Sequence, residues 1–492
     1  MDRQVSLAEL GLSARGGREA RVTGLALDSR QVRPGYLFAA LPGSRIHGGE
    51  FITYALRMGA SAILTDAEGA RIAAADLAAS DAALVVVEDA REGLARACAL
   101  WFDAQPEVVV AVTGTNGKTS VASFTRQIWT VLGHAAINVG TTGVEGAWEA
   151  PTAHTTPDTL SLHRMMAEAA AAGITHAAME ASSHGLDQRR LDGLRLAAAG
   201  FTNLTQDHLD YHGTMQAYFA AKARLFDALL SPGAAAVVNL DDPRGPELAD
   251  LAAAQEARVL TVGRDERADL RLLAQRFDPA GQEVRLSWRG QPVQVRLDLV
   301  GGFQALNVAV AAGLAIATGS DAGQVFEALP RLNGVRGRMQ LVARRRNGAS
   351  VYVDYAHTPD AVATALQALR PHVMGRIVAV IGAGGDRDRG KRPLMGAAAA
   401  AHADVVYVTD DNPRSEDPAA IRAAVMQGCP EANEVGDRAE AILRAVDALQ
   451  PGDAALICGK GHETGQEIAG QIYPFDDAEQ ASIAVAALDG PA

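Results

Sequence analysis

Residues 108–119 read V-V-V-A-V-T-G-T-N-G-K-T, an apolar run followed by a glycine-containing loop that ends in lysine and threonine. The apolar run predicts a buried strand, and the apolar spacing across 121–132, ended by Gly133, predicts a helix after the loop. A strand, a loop of this composition and a helix are typical of a phosphate-binding loop. Backbone N–H groups and the helix N-terminus would bind phosphate, Lys118 would contact the outer phosphates, and the Thr119 hydroxyl would help to hold Mg²⁺.

The loop departs at one position from the usual phosphate-loop pattern G-x-x-x-x-G-K-[ST]. That pattern has glycine at position 112, where this chain has Val112, so the loop belongs to a variant group. The alternative is a tight strand-to-helix turn that carries a surface lysine. The agreement of glycine, lysine, threonine and the flanking periodicity favours the phosphate loop over that alternative.

Length and composition limit the class of protein. A chain of 492 residues is too long for one core and predicts about two to four domains. Hydrophobic residues make up 48% and charged residues 21%, as in globular domains with ample core. Acidic residues number 58 against 45 lysines and arginines, and this net charge of −13 argues against general nucleic-acid binding. Anionic small molecules are still possible substrates, since they need only a local basic pocket.

Cysteine content and the lack of long apolar runs predict where the protein acts. Cys98, Cys429 and Cys458 are scattered and odd in number, which suggests reduced thiols in the core and neither a disulfide nor a zinc framework. The first residues lack a basic and apolar leader, and no run approaches ~18 apolar residues. We therefore expect a cytoplasmic protein without a membrane span.

Strand and helix patterns predict an α/β protein of three domains. Residues 1–102 read as a small α/β domain, and Pro106 lies at its boundary with the phosphate-loop strand. Residues 103–332 read as a central domain of the P-loop ATPase type with a parallel sheet. Residues 333–492 alternate short apolar strands with helices and predict a doubly wound sheet.

The same patterns predict individual elements. The expected strands include 36–41, 62–64, 84–87, 108–113, 176–180, 197–204, 234–239, 351–354, 377–381, 405–408 and 454–458. The expected helices include 51–58, 91–102, 121–132, 215–230, 304–318, 359–369, 391–402, 418–428 and 437–449. Residues 269–299 alternate like an antiparallel meander. The glycine turn 382–387 looks like a dinucleotide turn, but its charged residues are unsuited to packing on a pyrophosphate, and we reject that interpretation.

Polar residues at the ends of two central strands are candidate metal ligands. Glu180 ends one apolar strand and His208 follows the next, at the edge where open α/β sheets bind ligands. Together with the Thr119 hydroxyl they could hold Mg²⁺ between phosphates and a substrate. The alternative, in which Glu180 caps a helix and His208 stabilises a turn, fits the residues equally well. Lys222 lies in mid-helix among small residues and reads as a surface lysine.

Further polar clusters occur in the last domain, at 336–338, 354–359, 411–414 and 459–463. The R-G-R segment could contact phosphate. The arginine of D-N-P-R offers a fork for a carboxylate, and the glutamate of G-K-G-H-E could pair with an ammonium group. Each cluster alone is more often structural. Their shared position near strand C-termini favours a ligand site.

Several motifs then follow one another in a distinctive order. They are D-S-R (28–30), T-G-T-N-G-K-T (113–119), M-E-A-S-S-H-G-L (179–186), N-L-T-Q-D-H-L-D-Y-H-G (203–213), A-A-K (220–222), V-D-Y-A-H-T-P-D (353–360), G-G-D-R-D-R-G-K-R-P (384–393), D-N-P-R (411–414) and G-K-G-H-E (459–463). Together they cover nearly the whole chain. In this order they resemble the Mur ligases of peptidoglycan synthesis.

The resemblance implies a domain that binds the UDP end, a central ATPase and a C-terminal Rossmann-like domain. The motifs are most similar to those of the members that add meso-2,6-diaminopimelate to the D-Glu γ-carboxylate of UDP-N-acetylmuramoyl-L-alanyl-D-glutamate. In that activity ATP converts the carboxylate to an acyl phosphate, and the amine of diaminopimelate displaces phosphate. The implied partners are small molecules only, with ATP as co-substrate and Mg²⁺ as cofactor, in a protein expected to be monomeric.

The resemblance also implies roles for residues at matching positions. The residues that match the family's ATP contacts are Thr113, Gly114, Thr115, Asn116, Gly117, Lys118, Thr119, Asn307, Arg338, Asp354 and His357. The residues that match the family's contacts to the UDP-dipeptide are Leu27, Ser29, Ser44, Arg45, Ile46, Thr155, Thr156, Ser182, Gln188 and Arg190. The residues that match the family's diaminopimelate site are Arg387, Asp411, Asn412, Pro413, Arg414, Gly459 and Glu463. The residues that match its Mg²⁺ ligands are Thr119, Glu180, His208 and Lys222.

Two of these implications bear directly on the chemistry. Lys222 matches a carbamylated lysine, a modification that turns a cation into a metal-binding carboxylate, so that Lys118, Lys222, His208 and Glu180 form the implied catalytic group. Arg414 decides the amino acid, because diaminopimelate differs from lysine by one carboxylate that a guanidinium fork can pair. This chain has His154 where members of the family can carry asparagine.

Two other functions compete with this interpretation. A folylpolyglutamate-synthase-like ligase shares the T-G-T-N-G-K-T loop, but D-N-P-R and S-S-H-G-L argue against it. A regulatory P-loop ATPase would switch partners and hydrolyse ATP without an amino acid. Because the implied sites are divided between the second and third domains, we also expect large domain movements.

Overall fold

The computed structural model of the protein describes residues 3–43, 46–152 and 154–490. The chain forms two compact units, one made of Met1–Ala268 with Val310–Val325 and the other of Asp269–Ala309 with Phe326–Ala492. The first unit therefore holds the N-terminal domain and most of the central domain that the sequence predicts. The predicted boundaries at 102 and 332 stay predictions, because one compact unit can contain more than one domain.

The N-terminal part of the first unit contains a parallel sheet of order β3-β4-β5-β6. Its elements are β1 (Val5–Ser6), β2 (Arg21–Val22), β3 (Gly24–Ala26), β4 (Tyr36–Ala40), α1 (Ile52–Arg57), β5 (Ala62–Thr65), α2 (Ala67–Ile72), α3 (Ala74–Ala78), β6 (Ala83–Val86) and α4 (Ala90–Phe102). The predicted strands and both predicted helices of this region are confirmed. Strand β4 is buried along most of its length, as expected for a parallel strand covered on both faces.

The rest of the first unit contains the sheet that carries the phosphate loop. Its elements are β7 (Val108–Thr113), α5 (Lys118–Val131), β8 (Ala136–Gly140), β9 (Gly143–Gly146), α6 (Thr159–Ala171), β10 (His176–Glu180), α7 (Ser183–Asp187), β11 (Leu196–Phe201), α8 (Leu209–His212), α9 (Met215–Asp227), β12 (Leu230–Asn239), α10 (Gly245–Ala254) and β13 (Arg258–Gly263). Strand order is β13-β12-β11-β7-β10-β8-β9, parallel except for β9. A parallel sheet with crossover helices is the predicted architecture.

Strand order explains why the functional loops meet. Strand β7 lies between β10 and β11, and the register pairs Val112 with Glu180 on one side and Thr113 with Phe201 on the other. All three strands run in the same direction, so their C-terminal ends lie at one edge. Strand β11 ends at Phe201 and not at residue 204 as predicted, because the residues that follow bond to the phosphate loop.

The second unit begins with an antiparallel meander. Its strands are β14 (Leu270–Asp278), β15 (Gly281–Trp288) and β16 (Gln291–Leu297). The chain then forms α11 (Gln304–Ala317) and α12 (Ala322–Ala328), of which Val310–Val325 belongs to the first unit. The meander is confirmed, and the alternation of residues 269–299 was the signal for it.

The C-terminal part of the second unit is the predicted doubly wound sheet. Its elements are β17 (Gln340–Arg344), β18 (Ser350–Asp354), α13 (Pro359–Leu369), β19 (Ile377–Ile381), α14 (Lys391–His402), β20 (Val405–Val408), α15 (Pro418–Met426), β21 (Asn433–Glu434), α16 (Arg438–Asp447), β22 (Ala454–Cys458), β23 (Gly465–Ile468), β24 (Gln471–Pro474) and α17 (Asp477–Asp489). Strand order is β17-β18-β22-β19-β20-β21, with β17 antiparallel at the edge. Helices α13, α14 and α15 share one apolar core, and α16 and α17 share the core of the other face.

Within the described ranges, the structure contains no helix that is both long enough and apolar enough to cross a membrane.

Candidate active site

The phosphate loop joins β7 to α5. Val112, at the position where the usual pattern has glycine, is a fully buried residue of β7, so the turn begins later, at Gly114. A Cβ on Gly114 would lie 1.9 Å from Thr202 Oγ1, and the residue has φ +149°. The Lys118 ammonium donates to the carbonyl oxygens of Gly114 and Thr115, both at 2.8 Å. The loop is therefore closed around its own lysine.

The segment after β11 holds the loop in place. Thr202 Oγ1 donates to the Asn116 carbonyl at 2.6 Å, and the Asn116 N–H donates to Asn203 Oδ1 at 3.0 Å. The Thr115 N–H donates to the Asn203 carbonyl at 2.8 Å. Asn203 begins the motif of residues 203–213, but its contact with the phosphate loop was not predicted. Thr202 was missed, because its contacts are about 90 residues away along the chain and no local pattern marks it.

Glu180 lies directly beside the loop. Its carboxylate accepts from Thr119 Oγ1 at 3.0 Å and from the Thr141 N–H at 2.8 Å, and only 2% of the residue is exposed. Thr141 Oγ1 is also 3.1 Å from Thr155 Oγ1. The interpretation of Glu180 as a helix cap is wrong, since Ser182 caps α7 by accepting from the backbone of the first turn. The contact between Thr119 and Glu180 joins two of the predicted metal ligands.

Lys222 is almost completely buried, with 1% of its surface exposed. The expectation of a surface lysine is therefore wrong. Its Nζ donates to the Gly114 carbonyl at 2.8 Å and lies 4.6 Å from the centre of the Tyr218 ring. Burial, and next the charge of Lys118, lower the pKa of Lys222 well below its ordinary value. Burial therefore disfavours the charged form of this lysine beside the phosphate loop.

His208 lies at the start of α8 in a left-handed conformation, φ 53°. Its ring packs edge-on against His184, with centroids 4.8 Å apart. Burial lowers the pKa of His208, and the charges of Lys118 and Lys222 add to the effect. Over the described part of the chain, no group of three or more His, Cys, Asp and Glu side chains is arranged to hold a metal, so any site would also need oxygens of other kinds, such as the Thr119 hydroxyl.

A cavity of about 780 Å³ opens in the N-terminal part of the first unit. Its lining includes Leu27, Ser29 and Ile46, all predicted to contact the uridine end. Ser44 and Arg45 lie outside the described residues. The lining also includes the aromatic side chains of Phe38, Phe51 and Tyr54, which the motif comparison had not singled out.

A second, smaller cavity of about 160 Å³ has Leu27 and Leu41 in common with the first. Gln188 and Arg190, both predicted to contact the dipeptide, are part of its lining. Arg91 and Asp158 line it too, and the sequence had not indicated either. The two cavities together bring residues from N-terminal and central segments to adjoining sites.

The remaining dipeptide candidates form one hydrogen-bonded network beside Glu180. Arg190 donates to the Thr156 carbonyl at 2.6 Å and to Gln188 Oε1 at 2.8 Å. Thr156 Oγ1 in turn donates to the Glu180 carbonyl at 2.8 Å and accepts from the Ser182 N–H at 3.0 Å. Burial lowers the pKa of Arg190. Thr155 is joined to the same region through Thr141.

In the second unit, the D-N-P-R loop carries most of the predicted amino-acid site. Asn412 Nδ2 donates to Glu463 Oε2 at 2.9 Å. A Cβ on Gly459 would lie 2.2 Å from Asp411 Oδ2, which explains the glycine. Arg414 has φ 52°, pairs through Nε with Glu467 at 3.2 Å and donates from an Nη atom to the Gly385 carbonyl at 2.8 Å. The structure thus brings Asp411, Asn412, Gly459 and Glu463 together.

The glycine turn before α14 packs against this loop. The Gly385 N–H donates to the Asn412 carbonyl at 2.9 Å, and a Cβ on Gly385 would lie 1.9 Å from the Pro413 carbonyl oxygen. These glycines therefore serve close packing on a neighbouring loop, and this agrees with rejecting a dinucleotide turn. Arg387 is exposed and donates to the Asp386 carbonyl of the same turn at 3.2 Å.

A hairpin that the sequence did not predict completes the amino-acid site. It is formed by β23 and β24, and Gln466 Nε2 donates to the Asp411 carbonyl at 2.6 Å. The Glu467 N–H donates to Asn412 Oδ1 at 2.9 Å, and the Arg414 N–H to the Glu467 carbonyl at 3.0 Å. The hairpin is largely exposed, so it lacks the buried apolar run that marks the other strands.

The predicted nucleotide residues of the second unit lie mostly around Tyr355. The Arg338 guanidinium is 4.6 Å from the Tyr355 ring. The Tyr355 carbonyl accepts from His357 Nδ1 at 2.8 Å. Asp354 accepts from the backbone N–H groups of residues 339 and 356 at 2.7 and 2.9 Å, and burial raises its pKa. Asn307, in α11, donates to Gln304 Oε1 at 2.9 Å.

Known proteins resemble this chain over nearly its whole length. Three segments match family models described as the Mur ligase catalytic domain (residues 21–101), middle domain (112–315) and glutamate ligase domain (337–461). The UDP-N-acetylmuramoyl-L-alanyl-D-glutamate--2,6-diaminopimelate ligase of Caulobacter vibrioides is 51% identical over 475 residues, or 95% of this chain and 96% of that protein. The chain belongs to the Mur ligase family.

Solved structures extend this comparison to the fold. A UDP-N-acetylmuramoyl-L-alanyl-D-glutamate--2,6-diaminopimelate ligase is 36% identical to this Mur ligase, with a TM-score of 0.72 and coverage of 99% of both chains. The folylpolyglutamate synthase of Mycobacterium tuberculosis, complexed with ADP, is 20% identical, with a TM-score of 0.62 over 76% of this chain and 92% of that one. The second similarity concerns the fold alone, so fold does not separate the two kinds of ligase.

Proposed function

We propose that this Mur ligase uses ATP to join meso-2,6-diaminopimelate to the D-Glu γ-carboxylate of UDP-N-acetylmuramoyl-L-alanyl-D-glutamate, in the cytoplasm, as a step of peptidoglycan precursor synthesis. The activity is that named for the relative that is 51% identical. Within the molecule, one set of contacts gives the main support for this proposal. The Thr119–Glu180–Thr141–Thr155 contacts connect the phosphate loop directly to residues proposed for the acceptor dipeptide.

The chemistry has two steps. A γ-carboxylate oxygen of the dipeptide attacks the γ-phosphorus of ATP, ADP leaves, and an acyl phosphate forms. The amine of diaminopimelate then attacks the acyl carbon, loses a proton, and phosphate leaves from the tetrahedral intermediate. Lys118, at the loop, would balance charge on the transferred phosphoryl group, and the two sites would hold the reactants in position.

The residues beside the loop fit a Mg²⁺ ion. The Thr119 hydroxyl and the buried Glu180 carboxylate are 3.0 Å apart, and hard oxygen donors of this kind suit Mg²⁺. Bound there, the ion would neutralise charge on the phosphates. Lys222 would add two more oxygens as a carbamate, in which its neutral amine nitrogen bonds to the carbon of CO₂ and releases a proton. Its burial and lowered pKa favour that neutral amine.

The other site assignments remain part of the proposal. The nucleotide would contact Asn307, Arg338, Asp354 and His357, and the uridine end would occupy the cavity that Leu27, Ser29 and Ile46 line. The amino acid would bind at Arg387, Arg414 and the Asn412–Glu463 pair. We further propose three domains, 1–102, 103–332 and 333–492, in a monomeric enzyme.

Phosphate release with defined substrates tests the function. We expect release only when ATP, the UDP-dipeptide and diaminopimelate are all present, with a product heavier than the dipeptide by one diaminopimelate less water. L-Lysine should be used with kcat/KM lower by about 10²-fold or more, because it lacks the second carboxylate that we propose Arg414 pairs with. Release without either acceptor would favour the switch ATPase, and extension of a folate would favour the folylpolyglutamate-type ligase.

Gly140→Ala tests the role of Glu180 without changing a polar residue. A Cβ at Gly140 would lie 2.0 Å from Glu180 Oε1, so the carboxylate must move away from Thr119. We expect kcat for ligation to fall by about 10²-fold, the scale of losing one preorganised electrostatic group. Gly334→Ala is the matched control, since nothing lies within 4 Å of its added Cβ. Equal kcat values for the two variants would contradict the role given to Glu180.

A further inference from the structure

Lys460 lies in the G-K-G-H-E segment that follows β22, and its side chain is fully buried. Its Nζ donates to Asn412 Oδ1 at 3.0 Å and lies 3.3 Å from Glu463 Oε2. Burying an ammonium group is costly unless the group is paired and hydrogen-bonded. Both partners of this cation are side chains proposed to bind the amino acid, so its burial serves that site.

The Lys460 contact fixes the orientation of the Asn412 amide. Oδ1 of Asn412 accepts from two donors, Lys460 Nζ and the Glu467 N–H at 2.9 Å. An asparagine amide has one acceptor oxygen and one donor nitrogen. With the oxygen held by these donors, Nδ2 points to Glu463 Oε2 at 2.9 Å. The reverse orientation would set the NH₂ group against a cation.

The same contacts fix one half of the Glu463 carboxylate. Its Oε2 accepts hydrogen bonds from both Lys460 Nζ and Asn412 Nδ2. Oε1 accepts no hydrogen bond from any residue in the described ranges, and 32% of the side chain is exposed. The carboxylate thus presents one oxygen outward while the other is held by two donors. Such a group can accept a hydrogen bond from a substrate ammonium without first having to reorient.

We infer that Lys460 is a positioning residue for the amino-acid substrate. It holds Asn412 and Glu463 in the orientation that receives the substrate ammonium, and its charge balances Glu463 inside the protein. This inference rests on the proposed function for the identity of the substrate. It predicts that Lys460 sets the affinity for diaminopimelate and leaves the affinities for ATP and the UDP-dipeptide unchanged.

Lys460→Met tests the inference, because methionine has a similar length and no N–H donor. We expect KM for diaminopimelate to rise about 30-fold, since Asn412 and Glu463 both lose a charged donor. The KM values for ATP and for the UDP-dipeptide should stay within about twofold, and kcat within about threefold, of the unmodified enzyme. Arg444→Met is the control, because Arg444 is an exposed cation of the same unit and pairs, among the described residues, with Glu440 of its own helix.

A double-mutant cycle separates positioning from a general structural effect. On a Glu463→Gln background, Lys460→Met should lower kcat/KM for diaminopimelate several-fold less than it does in the unmodified enzyme, because only the contact with Asn412 is then left to lose. Additive losses, or equal increases in all three KM values, would overturn the inference. If the methionine variant does not fold, as judged by its thermal transition, Lys460→Gln replaces it, and the same selective rise in KM is expected. An unmodified enzyme inactive with diaminopimelate would refute the proposed function instead.

Discussion

Replacing Lys222 with alanine is expected to lower kcat for ligation by about 10³-fold. The substitution removes one of two lysine donors to the Gly114 carbonyl inside the phosphate loop, and it removes the nitrogen that would carry the carbamate. Steady-state ADP formation with saturating substrates measures the loss, and a thermal unfolding curve shows that the variant folds.

Lys222→Arg distinguishes a carbamate from a simple cation at this position. Arginine keeps a positive charge and donors, but its high pKa prevents reaction with CO₂. We expect this variant to be as inactive as the alanine variant. With ¹³C-labelled bicarbonate, the unmodified enzyme should give a carbamate carbon signal in NMR spectra that both variants lack. An active arginine variant, or an active enzyme without the signal, would show that the carbamate proposal is wrong.

Replacing Arg414 with alanine is expected to lower kcat/KM for diaminopimelate by about 10³-fold, the cost of leaving a substrate carboxylate without its charged partner. Activity with L-lysine, which lacks that carboxylate, should change by less than about tenfold. The ratio of the two efficiencies is therefore the measurement that matters. Wild-type efficiency with diaminopimelate would refute the assignment of Arg414.

Controls for Arg414 must account for its contacts inside the protein. The side chain donates to the Gly385 carbonyl and pairs with Glu467, so its removal also loosens the glycine turn and the hairpin. Glu467→Gln removes the ion pair and keeps the arginine. If this variant matched the alanine variant in its preference between the two amino acids, the effect would come from loop structure and not from contact with substrate.

The framework of the fold could be predicted from the sequence because most of its strands are continuous apolar runs. Strands β19, β20 and β22 begin and end where predicted, since each is a short apolar run that follows a charged residue and stops before a glycine or a threonine. The pair β8–β9 and the hairpin β23–β24 were missed. Gly143–Gly146 and Gly465–Ile468 have few fully buried side chains, and periodicity carries little information for such segments. Strand β8 was missed although it is buried throughout.

The candidate site could be predicted only where chemistry lies in a local motif. The phosphate loop and D-N-P-R were visible as spaced residues, whereas Thr202, Thr141 and Arg91 act through contacts between distant segments. Lys222 was interpreted as a surface residue because small neighbours do not reveal burial. One signal was available for Lys460: lysine occurs only at positions 118, 222, 391 and 460 in a chain rich in arginine. In a chain that uses arginine for most of its cations, a lysine indicates a position where only the more compact ammonium group fits.

Leu27 and Leu41 form a common wall for cavities of about 780 and 160 Å³. Two weakly binding fragments, one in each cavity, would therefore both lie against these two leucines. A short linker would make binding of the second fragment intramolecular, with gains that can reach about 10²–10⁴ in affinity. The leucine wall makes this face a starting point for inhibitors that need not resemble ATP and that would compete with the UDP-linked substrate proposed to bind there.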